Sequence, residues 1–327
     1  MGRRPPGAAT GLRSLSRQEE ERSKRPRMTS PAPRLIPLLV VLASASILGL
    51  APILVRLTET GPAAAGFWRL AFALPLLAIL IGRPGGEGIG TPSRWMLLAG
   101  LFFSLDLSFW NYGIVMTSVA NATVLCNLTP VVVTLIGWLF FKERPARLFI
   151  LALALAMGGA FAMASAAKGG QGTNPLLGDL LSLTVSFWYA GYFLMVKQAR
   201  TTAGALRVTY WATLAGLPMM GGVSMLLGED MIPATAAGWT ACVAMGLMHV
   251  AGQGGVAWAL GRLPASITSV TILIQPLVAA GLSWLVFGET LAPIQALGGA
   301  LVLCAIVLAQ WSSRTKTGAT PEGVAPA

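Results

Sequence analysis

Residues 95–141 read WMLLAGLFFSLDLSFWNYGIVMTSVANATVLCNLTPVVVTLIGWLFF, and Asp106 is the only charged side chain among them. Drawn out as one α-helix at ~1.5 Å per residue, the stretch would reach about 70 Å, more than twice a ~30 Å bilayer core. It must reverse once, most simply around Thr117 and Ser118. The apolar run from Met231 to Gly288 divides in the same way at Gly261, Arg262 and Pro264. Working outward from these two stretches gives ten predicted helices, at about 35–55, 63–82, 95–115, 119–141, 147–167, 177–197, 208–227, 237–260, 264–287 and 291–311.

Composition agrees. Of the 327 residues, 55% are apolar and 11% charged, and the mean hydropathy is +0.70. That is too little charge to cover a water-soluble surface, so soluble enzymes, disordered scaffolds and secreted disulfide domains are poor fits. The fold class expected is an all-α polytopic membrane protein. Cys126, Cys242 and Cys304 lie in apolar runs and define no disulfide framework. Net charge is +11, but nine of the 23 basic residues fall in the first 34 positions, and most others flank apolar spans. They read as topology signals, not as a nucleic-acid surface.

The basic segment 1–33 has no apolar stretch and is expected to be a disordered tail, with Met28 an alternative start; residues 313–327 form a second polar tail. With the N-terminus cytoplasmic, the inner connections and C-terminal tail hold Arg83, Arg94, Lys142, Arg144, Arg147, Lys197, Arg200, Arg207, Arg262, Arg314 and Lys316, against Arg56 and Lys168 outside. This bias predicts both termini in the cytoplasm and an even number of spans.

Shifting the chain by 146 residues lays PVVVTLIGWLFFKE, from Pro130, over PLVAAGLSWLVFGE, from Pro276. Pro, Val, Trp, Leu, Phe and Glu recur in register, and Gly100 and Leu101 fall on Gly246 and Leu247. Trp68 and Pro75 match Trp211 and Pro218 with the same spacing. Two five-helix halves are therefore expected, 34–167 and 168–312. Five is odd, so the second half enters the membrane from the opposite face, giving ten transmembrane helices in two inverted five-helix repeats.

FWRLAFALP at 67–75, GLFFSLDLSFWNYGIVMTSVANATVLCNLTPVVVTLIGWLFFKERP at 100–145 and its echo SITSVTILIQPLVAAGLSWLVFGETLAPIQALGGALVL at 266–303 resemble the paired EamA domains of the drug/metabolite transporter superfamily. The likeness extends from residue 40 to 311. It implies a central cavity and export of a small solute across a bacterial inner membrane by a secondary transporter, without naming the solute.

Ionisable groups in hydrocarbon are costly and usually face a bundle interior or an aqueous path. Asp106, near mid-depth of the third span, is a candidate proton carrier or counter-ion for a cationic solute. His249, the only histidine, is expected at a similar level in the other half, with Gln253 one turn along. Arg69 could meet a carboxylate or phosphate, pair with Asp106 or Glu59, or serve the scaffold. Phe103 and Trp110 share a helical face with Asp106, followed by Asn111, and Trp110 is the candidate aromatic wall for a solute. Trp188, Tyr189, Tyr192 and Trp258 rank lower. Asn127 and Gln275 approach the paired prolines, where they could bond carbonyls freed by a kink. Pro130 and Pro276 are expected to bend their helices and are hinge candidates.

The sequons at Asn121 and Asn127 fall within or at the mouth of a span, so no glycan is expected. No Walker loop, GxSxG elbow, HExxH helix or Cys/His cluster occurs, so no cofactor, metal or enzymatic activity is expected. The expected partners are a small-molecule solute, the lipid bilayer and protons, with a homodimer as a candidate assembly. The leading function is alternating-access export of a small organic metabolite, an amino acid or related solute. The alternatives are a drug or organic-cation exporter, a non-transporting membrane sensor or assembly partner, and a lipid-modifying enzyme.

Overall fold

The computed structural model describes residues 35–117, 122, 125–141, 145–165, 173–287 and 292–318; the expected tail 1–33, Lys142, Arg144 and Lys168 lie outside them. Every regular element among the described residues is helical. In chain order they are α1 Leu35–Leu48, α2 Ala51–Leu57, α3 Pro62–Gly82, α4 Arg94–Met116, α5 Thr129–Phe141, α6 Arg147–Ser165, α7 Pro175–Ala199, α8 Ala205–Leu226, α9 Ala236–Leu260, α10 Ala265–Ile272, α11 Ile274–Phe287 and α12 Pro293–Gly318. α4 ends where the sequence demanded a reversal, with Thr117 as its C-cap. α12 runs on to Gly318, into residues read as polar tail.

Among the described residues, five segments are long and apolar enough to cross a bilayer: Leu35–Leu57, Pro62–Gly82, Pro175–Ala199, Ala236–Leu260 and Ala265–Leu282. Thr129–Leu139, Arg147–Ala162 and Pro293–Ala309 are shorter apolar helices. Large apolar side chains such as Ile150, Phe161, Leu247 and Val307 are exposed. A soluble protein would present charge there, whereas lipid solvates such a surface.

Three predicted helices are broken. The first span divides at Gly49 and Leu50, the fourth turns at Asn127 and Leu128 before α5, and the ninth is interrupted at Leu273. A proline follows each break, Pro52, Pro130 and Pro276, in the opening turn of the helix that restarts. A proline ring lacks the N–H and strikes the carbonyl four residues back, so it is best tolerated where no preceding turn exists. Pro130 and Pro276 thus restart helices instead of kinking them from within. Pro75 and Pro218, by contrast, stay inside unbroken α3 and α8.

α8 packs on both α3 and α4, α9 packs on α3, α4 on α7, and α6 on α12. The tightest approaches use glycine. A Cβ added at Gly100 of α4 would strike the Ala212 carbonyl and sit 2.7 Å from Ala215 Cβ on α8, and one at Gly246 of α9 would sit 2.6 Å from Phe72 Cβ on α3. The 146-residue shift superposes these two glycines. Here the lack of a side chain lets backbones meet, as is usual between helices in lipid.

α3 and α8 also clasp each other end to end. Each starts at a glycine N-cap, Gly61 or Gly204, with no side-chain acceptor of its own. The first-turn N–H groups of a helix need outside partners. For α3 they come from the loop after α8: Ala63 and Ala64 N–H donate to the Glu229 carboxylate at 3.1 and 2.8 Å, and Trp68 Nε1 donates to the Met231 carbonyl at 2.6 Å. At the other end the loop after α3 returns the arrangement, with Gly204 N–H donating to Glu87 Oε2 at 2.7 Å and Trp211 Nε1 to the Ile89 carbonyl at 2.9 Å. Gly61 and Gly204, like Trp68 and Trp211, stand 143 positions apart, and Glu87 and Glu229, like Ile89 and Met231, 142 apart. The two helices therefore run antiparallel with matching clasps at opposite ends.

Candidate functional site

The bundle interior between α3, α4, α7, α8 and α9 is crossed by a polar chain. Arg69 on α3 donates from Nε to His249 Nδ1 on α9 at 3.3 Å. His249 Nε2 lies 2.9 Å from Thr213 Oγ1 on α8. Thr213 itself donates to the Thr209 carbonyl at 2.7 Å. Its hydroxyl proton is committed there, so the natural assignment has His249 Nε2–H donating to Thr213 and Nδ1 accepting from Arg69. That tautomer is neutral. Arg69 and His249 are 5% and 2% exposed, so this contact closes one guanidinium N–H while the remaining donors meet no partner among the described residues.

Phe103 on α4 fills the space beside this chain. Its ring lies 5.3 Å from the Arg69 guanidinium carbon and 5.4 Å from the imidazole. It also packs 5.1 Å from the Tyr192 ring on α7. Tyr192 donates to Gln253 Oε1 on α9 at 3.0 Å and stacks 5.8 Å from Tyr189, whose hydroxyl neighbours Gln253 and Gln275. An aromatic wall and a string of amides thus adjoin the guanidinium.

Asp106 is buried one turn along α4 from Phe103, close enough for its charge to act on Arg69, Tyr189, Tyr192 and Cys126. No donor among the described residues hydrogen-bonds its carboxylate. Asp106 and Arg69 thus interact electrostatically across the bundle interior, with no hydrogen bond between them among the described residues.

Of the candidate residues, Arg69 bonds His249, Gln253 accepts from Tyr192, and Asp106 lies within electrostatic reach of Arg69. Other candidates go elsewhere. Glu59 does not pair with Arg69; it accepts from Thr235 N–H and Oγ1, both at 2.9 Å, at the start of α9. Asn111 donates to the Pro62 carbonyl at 2.9 Å. Trp110 is half-buried and makes no ring contact with the cluster among the described residues, a place taken by Phe103. Asn127 occupies the turn before α5, Pro130 is buried at its start, and Pro276 lies half-buried at the start of α11. Trp188 packs on Phe102 and Phe109 with an unpartnered buried Nε1, and Trp258 lies under Arg262. Thr213 and the clasp carboxylates were not singled out from sequence, although the 142-residue offset of Glu87 and Glu229 is within one residue of that of the tryptophans. Cys126, Cys242 and Cys304 are free thiols, and no metal-binding group occurs among the described residues.

An apolar outer surface around a buried, charged interior defines a multi-pass membrane protein. The model of the EamA-like transporter family matches residues 35–165 and again 176–311, and the chain belongs to that family. The pseudopaline exporter CntI of Pseudomonas aeruginosa is 28% identical over 288 residues, spanning 86% of this chain and 96% of that protein. An uncharacterized transporter of Archaeoglobus fulgidus is 26% identical over 272 residues, 82% of this chain and 94% of its own. A solved structure described as "Crystal structure of protein" superposes with a TM-score of 0.72 at 17% identity, covering 86% of this chain and 99% of that one, a likeness of fold. Family and relatives point to a transporter and not an enzyme.

Proposed function

We propose that this chain is a secondary active exporter of a small zwitterionic metabolite, an amino acid or related solute. It works by alternating access across a bacterial inner membrane, with ten spans in two inverted five-helix repeats, 34–167 and 168–312. The observation that carries the reading is that Arg69 and Asp106 lie buried within electrostatic reach of each other, beside an aromatic wall and with hydrogen-bonding capacity unused among the described residues. A solute carboxylate meets the Arg69 donors, and its ammonium meets Asp106. Asp106 is also the group placed to exchange a proton for the solute.

The antiparallel α3–α8 clasp supports the inverted repeat, because the same contacts recur at both ends at sequence offsets of 143 and 142 residues. The broken spans near Pro130 and Pro276 support hinge roles for these residues, since discontinuous helices are where such carriers bend. The basic end of the bundle, with Arg200, Arg207 and Arg262, supports cytoplasmic termini. The exporter direction follows the named relative, which exports pseudopaline.

Counterflow in proteoliposomes with a panel of amino acids tests this. The wild-type chain should exchange at least one zwitterion. Asp106→Asn should abolish uptake driven by a pH gradient and raise the KM for the solute in exchange at zero gradient, and Arg69→Gln should raise that KM as well. Folded protein that moves no member of the panel would refute the substrate class. Gradient-driven uptake that survives Asp106→Asn would remove its proton role.

A further inference from the structure

At the end of the bundle where Glu87 meets Gly204, a cavity of about 620 Å³ opens between the loop after α3, the α7–α8 turn and the end of α9. Arg200, Arg207, Arg262, Trp258 and Glu87 line it, with the Gly204 and Ala205 backbone. We propose that this pocket binds a phosphate oxyanion, the group shared by an anionic phospholipid headgroup and a soluble phosphate monoester.

Donor bookkeeping carries the inference. A guanidinium offers five N–H donors. Arg200 spends Nε on the Ala257 carbonyl at 3.0 Å and Nη1 on the Ala203 carbonyl. Arg262 spends Nη1 on the Trp258 carbonyl at 3.1 Å and lies 3.7 Å over that indole ring. Arg207 spends Nη2 on the Thr91 carbonyl at 3.1 Å, while its Nε is buried without a partner. Every one of these bonds goes to a backbone carbonyl, so they fix the three side chains without neutralising them. Glu87, the one lining carboxylate among the described residues, accepts from Gly204 N–H. Burial, and then the neighbouring Arg262, hold the Arg200 guanidinium below its ordinary value, with Glu87 opposing. An anion would relieve that strain on the charged form.

The backbone points the same way. α8 begins in the pocket at an N-cap without a side-chain acceptor, and a helix start attracts anions through its free N–H groups and its dipole. The related cavity at the other end, about 490 Å³, is lined by Glu59, Glu229 and Asp230 and has no basic residue among the described residues. A basic pocket between helices at one membrane face is the setting in which anionic headgroups are held.

The test uses the full chain purified in detergent and follows binding by native mass spectrometry and thermal shift. The probes are phosphatidylglycerol, phosphatidylcholine and soluble glycerol 1-phosphate. Phosphatidylglycerol should bind and raise the unfolding temperature where phosphatidylcholine does not. Arg262→Gln, at an exposed position where folding should survive, should weaken binding about tenfold, the loss of one charge-assisted contact. Glu87→Gln removes the negative charge yet keeps an oxygen for Gly204 N–H, and should tighten binding. Glycerol 1-phosphate that reproduces the shift and the ranking identifies a soluble phosphate as ligand, and phosphatidylglycerol alone identifies the headgroup. Failure of both probes to bind the folded wild type, or binding unchanged in both folded variants, overturns the site. Solute transport enters none of these readouts, so failure here is distinct from failure of the exporter reading.

Discussion

Replacing Glu229 by alanine should destabilise the protein far more than replacing its counterpart Glu87. Glu229 accepts from the N–H groups of Ala63 and Ala64 at the start of α3, and from the Tyr112 hydroxyl on α4. Losing a capping acceptor costs about 1 kcal/mol, and a negative charge at a helix start contributes about 0.5 kcal/mol. The orphaned Tyr112 hydroxyl adds about 1 kcal/mol. Together these give a loss of about 2–3 kcal/mol for Glu229→Ala. Glu87 makes one bond at an exposed site, so Glu87→Ala should cost about 0.5 kcal/mol. Denaturant titration in mixed micelles, followed by circular dichroism, measures both. A cycle with Tyr112→Phe isolates the phenol contact and should show a coupling of about 1 kcal/mol. Equal losses for the two alanine variants, or simple additivity of Glu229→Ala with Tyr112→Phe, would refute the claim that one carboxylate pins α3 to α4 and to the loop after α8.

Two further outcomes follow from the packing. On α6, a Cβ at Gly159 would sit 2.6 Å from the Gly298 carbonyl of α12, whereas one at Gly158 meets nothing within 4 Å; Gly159→Ala should therefore cost about 1–3 kcal/mol, and Gly158→Ala should be neutral or gain up to about 1 kcal/mol, as read by thermal unfolding in one detergent. His249→Ala strips a partner from both Arg69 and Thr213 and should cost about 2–4 kcal/mol, with His249→Gln recovering part of it in the same denaturant titration; a neutral His249→Ala would dissolve the polar chain.

How much of this was legible depended on whether a property belongs to one helix or to two. The Trp95–Phe141 stretch forces its own reversal, because charge depletion and bilayer thickness are local facts. The proline-centred repeat was legible for the same reason. The breaks at Gly49 and Leu273 were not, since an apolar run reads alike whether its backbone is continuous or restarted. Asp106, His249, Arg69 and Gln253 were found by the rarity of polar groups in hydrocarbon, yet their partners were not. The choice of Phe103 over Trp110, and of His249 over Glu59 as the neighbour of Arg69, depends on which helices touch. Spacing along one chain gives a face and leaves the facing helix open. The clasp residues lie in loops, outside the spans where a buried charge stands out, and their visible signal was an offset within one residue of that of the tryptophans.

The clasps also explain why the two ends of so symmetric a scaffold differ in chemistry. A duplicated helix start needs the same acceptors twice, so a glutamate and a carbonyl two residues later recur at Glu87 and Ile89 and at Glu229 and Met231. Membrane insertion imposes the opposite demand, because lysine and arginine are retained on one side. The pseudo-equivalent cavities beside the clasps therefore share a backbone role and diverge in lining, one holding Arg200, Arg207 and Arg262, the other Glu59, Glu229 and Asp230. It follows that reversing the sign of one lining, with Arg262→Glu for instance, should leave the Glu87 clasp geometry intact and disturb only what the cavity binds, because the clasp draws on backbone groups that the charge pattern does not touch.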